Sequence, residues 1–547
     1  MRNPNRNYTS LLLIFLITSC KSGRFENDGR TVFRYNESAG ITSLDPAFAR
    51  DQANIWAANQ LFNGLVQLDD NLKVKPCIAK SWEISPDGLS YTFHLRNDVF
   101  FIADEAFTGN KERNVVANDF VYTLNRLLDD KLASPGAWVL KQVKKVNNSN
   151  SFIAPNDSTL IITLKAPFPP FLGLLSMKYC SVVPHEAVDK YGAEFRRHPV
   201  GTGPFKFGMW KEGVKLVMLR NDNYFESGAE GPLPYLDAIA VTFIVDKQSA
   251  FLEFIKGNLD FVSGIDVSYK DELLTKKGEL RSKYSSKINL TKQPYLNTEY
   301  LGILIDTNYT AAAESPLRLK LVRQAINYGF DRVKMMRYLR NNIGIAGTAG
   351  FVPAGIPWFD QEKVDGYQYD PAKAMHLLGK AGFPGGKGLP PITLTTNASY
   401  LDLCKFIQSQ LGEIGINLKI DVTPPATLRE MIAQSKVSFF RGSWIADYPD
   451  AENYLSLFYS PNFCPAGPNY THFSSSDFDK IYQESMHISN DSLRGLKYMQ
   501  MDKILVEEAP TVVLYYDEVL RFSQKNISGL GSNPLNMLNL KHVKKTK

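Results

Sequence analysis

Cysteine and histidine are scarce, with 5 and 7 in 547 residues. Besides Cys20 the cysteines are Cys77, Cys180, Cys404 and Cys464, far apart, with no C-x-x-C and no histidine at ligand spacing. That excludes the usual zinc frameworks and leaves two readings open, four buried thiols or one or two disulfides in an oxidising compartment. Hydrolase motifs are missing too. His185-Glu186 has Asp189 where a zinc protease needs its second histidine, G-x-S-x-G does not occur, and GTGPF at 201–205 lacks the further glycines of a nucleotide loop. No charge of one sign dominates: 62 basic residues face 56 acidic ones, a formal +6. Without an aromatic-interleaved basic stripe or a helix-turn-helix spacing, nothing points to nucleic acid. Past the N-terminus no apolar run approaches the roughly 18–20 residues of a membrane helix.

What is present begins with a leader. Arg2 and Arg6 precede the apolar run Leu11–Ile17, too short to span a bilayer, and Thr18-Ser19-Cys20 follows. I-T-S-C resembles the lipobox of bacterial lipoproteins, in which Cys20 becomes the lipidated first residue; the competing reading is a leader with an incidental cysteine. The polar stretch after Cys20, to residue 30, suits a tether. The expectation is an extracytoplasmic protein of the cell envelope, periplasmic if the cell is Gram-negative, held by lipid alone.

At 44% apolar and 22% charged the chain is globular, and its length implies two or three domains. Between 155 and 265 strand patterns dominate: Leu160–Leu164, Leu216–Leu219, and the alternation of Ile239, Val241 and Phe243. Later the period changes. Asp370-Pro371 starts a helix as N-cap and first helical residue, Ala374, Leu377, Leu378 and Ala381 follow at helical spacing, and Gly382 stands where it should end. Strand 392–395, helix 401–411, strand 416–422, helix 427–433 and the apolar run 437–445 complete a β-α-β-α-β pattern, predicting a largely parallel, helix-covered α/β sheet.

That last run ends in RGSWIADYPD, at 441–450. Ligands of open α/β sheets bind beyond the carboxyl ends of strands, and Asp447 stands just past one. Beside an indole and a phenol it is placed to meet a cation such as a ligand ammonium in a partly dry cleft. Equally, an Asp before Tyr448-Pro449 could cap a turn.

Seven stretches, spread end to end, carry a resemblance: SLDPAFARDQANIWAANQLFNGLVQLD (43–69), CIAKSWEISPDGLSYTFHLRNDVFF (77–101), ANDFVYTLNRL (117–127), PVGTGPFKF (199–207), LRLKLVRQAINYGFDR (317–332), YDPAKAMHLLGKAGF (369–383) and WIADYPDAENYLSLFYS (444–460). In this order the mature chain resembles the extracytoplasmic solute-binding proteins of the peptide/nickel family, which feed oligopeptide and dipeptide ABC importers.

The resemblance implies a two-lobed, three-domain α/β binding-protein fold that closes by a hinge around an extended peptide. Its domains would be 31–62 with 200–295 and 516–547, then 63–199, then 296–515, with hinge crossings near Tyr295–Thr298 and Tyr515–Asp517. In the W-x-x-D stretch, Trp444 to Asp447, the Asp would pair with the peptide's α-ammonium. Arg441 matches an arginine near the ligand's carboxyl end, with self-pairing to nearby acids as the rival. Backbone groups of Ser443 and Ile445 would bond the peptide main chain. Trp138 resembles an aromatic that lines the cleft, with core packing as its rival. Two departures stand out. A family glutamate aligns with Arg50, within a residue of Asp51 and Gln52, which changes the charge of the first ligand pocket. A long segment, FFIADEAFTGNKERNVVAND (100–119), replaces a short turn at the rim.

The partners implied are a peptide, an importer permease and a membrane reached only by lipid; the protein itself would be a monomer without cofactor or metal. Peptides outrank nickel or haem, because Asp447 matches the ammonium position and no His cluster offers a metal cage. The rival classes are an exported enzyme acting on peptides or glycans, with Glu83 or Asp119 as conceivable carboxylates, and a peptide sensor or chaperone of the same fold. If Cys20 carries the anchor, Cys20→Ser moves the protein out of the membrane fraction with ligand affinity intact. Absence of a metabolic fatty-acid label on the wild type would end the lipoprotein reading.

Overall fold

The computed structural model describes residues 29–146 and 149–546, so the leader, Cys20 and the tether's first residues lie outside the described residues. Ten strands, numbered here in chain order, build one mixed sheet: β1 (Val32–Asn36), β2 (Phe205–Lys211), β3 (Lys215–Arg220), β4 (Ala238–Thr242), β5 (Phe261–Ser263), β6 (Ile288–Ile303), β7 (Ile392–Thr396), β8 (Leu418–Val422), β9 (Phe439–Ile445) and β10 (Thr511–Gln524). Their spatial order is β2-β3-β4-β1-β5-β10-β6-β9-β7-β8, and Ile345–Ala346 adds an eleventh strand against β10. This is a two-lobed binding-protein architecture. Each half-sheet contains parallel pairs, β1 with β4 and β5 in one, β7 with β8 and β9 in the other. The antiparallel pair β6/β10 joins them.

The first lobe also carries a separate antiparallel sheet in the order Phe152–Asn156, Thr159–Thr163, Ser90–Leu95, Ala79–Ile84. Its Phe93 and Leu160 share one apolar cluster with Phe33, Trp56 and Ile239 of the larger sheet's layer. In the second lobe the period-2 alternation of β9 sends successive residues to opposite faces. Phe439 joins Ile326, Leu378, Leu394 and Ile407, whereas Phe440 joins Phe351, Tyr454, Phe458 and Phe478.

The predicted helices form where the caps placed them. Asp370 accepts the Lys373 N–H at 2.9 Å, Pro371 opens the helix Pro371–Lys380, and Gly382 takes φ +93° just beyond it. Helix 401–411 runs on to Glu413. Strand 416–422 starts two residues late, at Leu418, because the Ile416 N–H is captured by the Leu411 carbonyl at 3.0 Å in the helix-ending turn. The expected parallel character holds for β7, β8 and β9, but β9 also pairs antiparallel with β6, so the sheet as a whole is mixed. Residues 159–163 belong to the smaller sheet. Cys77, Cys180, Cys404 and Cys464 are free and buried, the first of the two readings left open.

One close approach fixes the start of the cleft. The Gly203 N–H donates to the Leu61 carbonyl at 2.9 Å, at the end of helix Gln52–Leu61, and a Cβ at Gly203 would land on that carbonyl. Main chain cannot swing aside as a flexible side chain does. Gly203→Ala is therefore expected to destabilise the fold by about 1–3 kcal/mol in urea unfolding; an unchanged midpoint would mean that the helix end yields freely.

Candidate functional site

A cavity of about 510 Å³ lies between the lobes. Arg50, Gln52 and the 533–541 segment line it from the first lobe, together with Trp138, Lys178 and Tyr179; Ile445 and Asp447 line it from the second, and Tyr295 from the strand that joins the two. Its size is that of an ordinary small-molecule pocket.

The wall at Asp447 is built by a turn that leaves β9. Asn453 organises it: its Oδ1 accepts the indole N–H of Trp444 at 3.0 Å and the backbone N–H of Asp447 at 3.2 Å. Just ahead of the helix Glu452–Leu455, Asp450 accepts the Glu452 N–H at 2.9 Å. Among the described residues Asp447 itself accepts no backbone N–H. Its carboxylate is reached from the cavity, yet the surrounding walls displace enough water to raise its pKa, an effect that the Asn453 amide partly offsets.

Beside Asp447 runs an unpaired edge. β9 pairs along its length with β6, Ser443 opposite Glu299 and Ile445 opposite Asn297, but meets β7 only at Phe440. The Ala446 N–H bonds the Leu296 carbonyl at 2.8 Å. By the alternation of an antiparallel ladder, the backbone groups of Ser443 and Ile445 then point away from β6, toward the open side. An extended chain laid there would find free donors and acceptors.

The structure brings Gln52, Trp138, Ile445 and Asp447 together on the cavity, with Arg50 beside them. Trp138 is 41% exposed, and its ring lies 6.4 Å from that of Tyr448, so it faces the cleft across from the second lobe. Trp444 is half-buried behind Asp447 and supports the turn. Ser443 offers backbone outside the cavity wall. Arg441 is a correction: its guanidinium turns into the second lobe, pairs with buried Glu299 and lies 3.4 Å over the Tyr400 ring. The self-paired alternative is the one adopted. The long segment at 100–119 contributes nothing to the cavity; its residues 102–104 and 112 line a separate recess with His198 and Phe207. Sequence reasoning missed Lys178, Tyr179 and Asn453, and named Tyr295 only at a hinge crossing. Only Asn453 left a local trace, as a polar residue six positions after Asp447.

A cleft between two α/β lobes, with a free carboxylate at the end of an open strand edge, defines a ligand-capturing protein of the periplasmic-binding type. The family described as bacterial extracellular solute-binding proteins, family 5, matches residues 73–463, and the chain belongs to that family. It is 26% identical over 506 residues, 91% of each chain, to the glutathione-binding protein GsiB of Escherichia coli. It is 28% identical over 504 residues to the heme-binding protein A of Haemophilus influenzae, covering 89% of this chain and 87% of that one. Among solved structures, the periplasmic binding protein DppA of Helicobacter pylori in complex with the peptide STSA superposes with a TM-score of 0.72 at 26% identity, covering 95% of this chain and 99% of that one. HbpA2 of Haemophilus parasuis reaches 0.81 at 22% identity, over 94% and 100%.

The turn that carries Asp447 is braced from below. Buried Glu452 accepts the phenol hydrogens of Tyr448 and Tyr482. Burial pushes its pKa up from 4.5 to about 7, against the lowering effect of both phenols. A raised folded-state pKa means that the folded chain holds this proton more tightly than the unfolded chain. The group's contribution is then fully present below about pH 4.5 and is lost as pH rises through about 7. Glu452→Gln is expected to flatten that part of the stability profile, while Glu452→Leu, which strands two buried hydroxyls, costs about 1–3 kcal/mol for each. Equal urea midpoints for the Gln and Leu variants would contradict the bracing role.

Proposed function

We propose that the protein captures short peptides in the interlobe cavity and delivers them to an ABC importer in the membrane, to which Cys20 tethers it by lipid. The observation that carries this reading is the Asp447 carboxylate, free of any capping duty, beside the open edge of β9. An α-ammonium meets the carboxylate, the peptide backbone pairs with Ser443 and Ile445, and Trp138 and Gln52 cover it from the other lobe. The glutathione-binding and peptide-bound relatives support a ligand with peptide groups. The domain limits stand as inferred from the resemblance, 31–62 with 200–295 and 516–547, 63–199, and 296–515. The β6/β10 ladder loses register between Pro294 and Thr298, which supports a hinge at Tyr295–Thr298 and Tyr515–Asp517.

Asp447→Asn keeps the shape and removes the charge. It should weaken free peptides by about 2–5 kcal/mol, the range for losing one partner of a buried charge pair. N-acetylated peptides lack the cation, bind the wild type poorly and should lose little more in the variant; this non-additivity separates a ligand contact from a structural one. Isothermal titration of the four combinations decides, and equal losses for both peptide forms would end the ammonium reading.

A further inference from the structure

The cavity wall carries six charged side chains, Arg50, Asp69, Asp70, Lys178, Asp447 and Lys541. Two are engaged directly by the protein, and a third, Asp70, sits in the field of a buried cation. Asp69 accepts the backbone N–H groups of Asn71 and Lys73 and lies 3.5 Å from Lys75. Lys541 is held by Gln67 at 2.9 Å and by Glu226. Asp70 acts on the buried guanidinium of Arg521, whose hydrogen bonds all go to neutral oxygens, those of Asn536, Gly531 and Met537.

Arg50, Lys178 and Asp447 remain, two cations against one anion. Among the described residues neither cation has an ion-pair partner. Asp51, next to Arg50, caps helix Gln52–Leu61 by accepting the Asn54 N–H at 3.0 Å. Lys178 is the more constrained of the two. It sits in the single turn Lys178–Cys180, open to the cavity on one side and enclosed elsewhere. Burial pushes its pKa down to about 8, and neighbouring Lys541 adds to the lowering. The one carboxylate acting on it, Glu226, is already bonded to Lys541 and Gln67. An enclosed ammonium without a counter-ion is unfavourable until something supplies the anion. All three, Arg50, Lys178 and Asp447, line the one interlobe cavity.

We infer that the cleft selects ligands with one ammonium and more than one carboxylate, short acidic peptides, and that Lys178 receives the surplus carboxylate. This rests on the peptide reading above. Asp447 takes the α-ammonium, exposed Arg50 answers the carboxyl end common to all peptides, and the desolvated, fixed Lys178 discriminates between side chains.

Isothermal titration of the purified chain with Ala-Glu-Ala, Ala-Gln-Ala and Ala-Lys-Ala tests it. The acidic peptide is expected to bind at least about tenfold more tightly than the Gln peptide, with the Lys peptide weakest. Lys178→Met preserves the side chain's length; it should abolish the preference, bringing Ala-Glu-Ala to the variant's own affinity for Ala-Gln-Ala, whereas Lys178→Arg keeps it. No acidic preference in the wild type, or an equal loss for all three peptides in Lys178→Met, overturns the inference while leaving the peptide reading standing. If none of the three binds, the peptide reading falls and takes this inference with it.

Discussion

The two halves of the large sheet hang on a single antiparallel pair, β6 against β10. Both strands are long enough to belong to both lobes: residues 288–294 of β6 face 518–524 of β10 in the first, and 298–302 face 511–516 in the second. Between these stretches the ladder loses register, and Tyr295 of that interval lines the cavity. A continuous ladder resists bending because each residue is fixed by its neighbours' hydrogen bonds. A local interruption concentrates the compliance in a few φ/ψ angles. Thus the strands that unite the lobes also contain their least regular stretch, and that stretch borders the cavity.

Charges packed beside this interruption stiffen its second-lobe side. Asn297 bonds Glu299 at 3.2 Å and Asp517 at 3.4 Å, Arg340 pairs with Asp517 at 2.9 Å, and Arg441 pairs with Glu299. Burial raises the pKa of Glu299, and Arg441 opposes that rise. Removing either member would leave a buried charge uncompensated, which is far more costly than the pair's net worth. Arg441 lies on the same strand as Ile445 and, four positions before it, on the same face, but its guanidinium is held by Glu299.

Local signals made the second lobe legible. The Asp370-Pro371 start, the Gly382 stop and the strand patterns at 392–395, 416–422 and 437–445 each depend on neighbours in sequence, and the structure reproduces them within a few residues. Asp447 could be placed past a strand end by the same means. What escaped notice depends on distance. Lys178 becomes part of the site only because its loop folds against Cys77, Glu226 and Lys541, none of them near it in the chain. The β6/β10 union was equally hidden, since more than 200 positions separate the two strands and period-2 alternation does not say which strand lies beside which. Arg441 illustrates the reverse: a matching position suggested a ligand role, and the tertiary partner Glu299 decided otherwise.

Tyr448 ties the ligand position to the contact between lobes. It follows Asp447 directly, but its ring packs within the first lobe's apolar cluster, near Trp138, while its hydroxyl reaches Glu452 in the second. Gly173 borders this contact: a Cβ there would lie at ordinary van der Waals distance, 3.8 Å from that of Tyr448 and 3.6 Å from the Pro449 ring. Separating the lobes would return this aromatic surface to water, an unfavourable change of order 1.5–3 kcal/mol for a large apolar side chain. The same turn, set by Asn453 and braced by Glu452, therefore orients a carboxylate into the cavity and an aromatic into the opposite lobe. The residue that lines the cavity and the residue that packs against the opposite lobe are thus consecutive, so the cavity wall and the contact between the lobes share one short stretch of backbone.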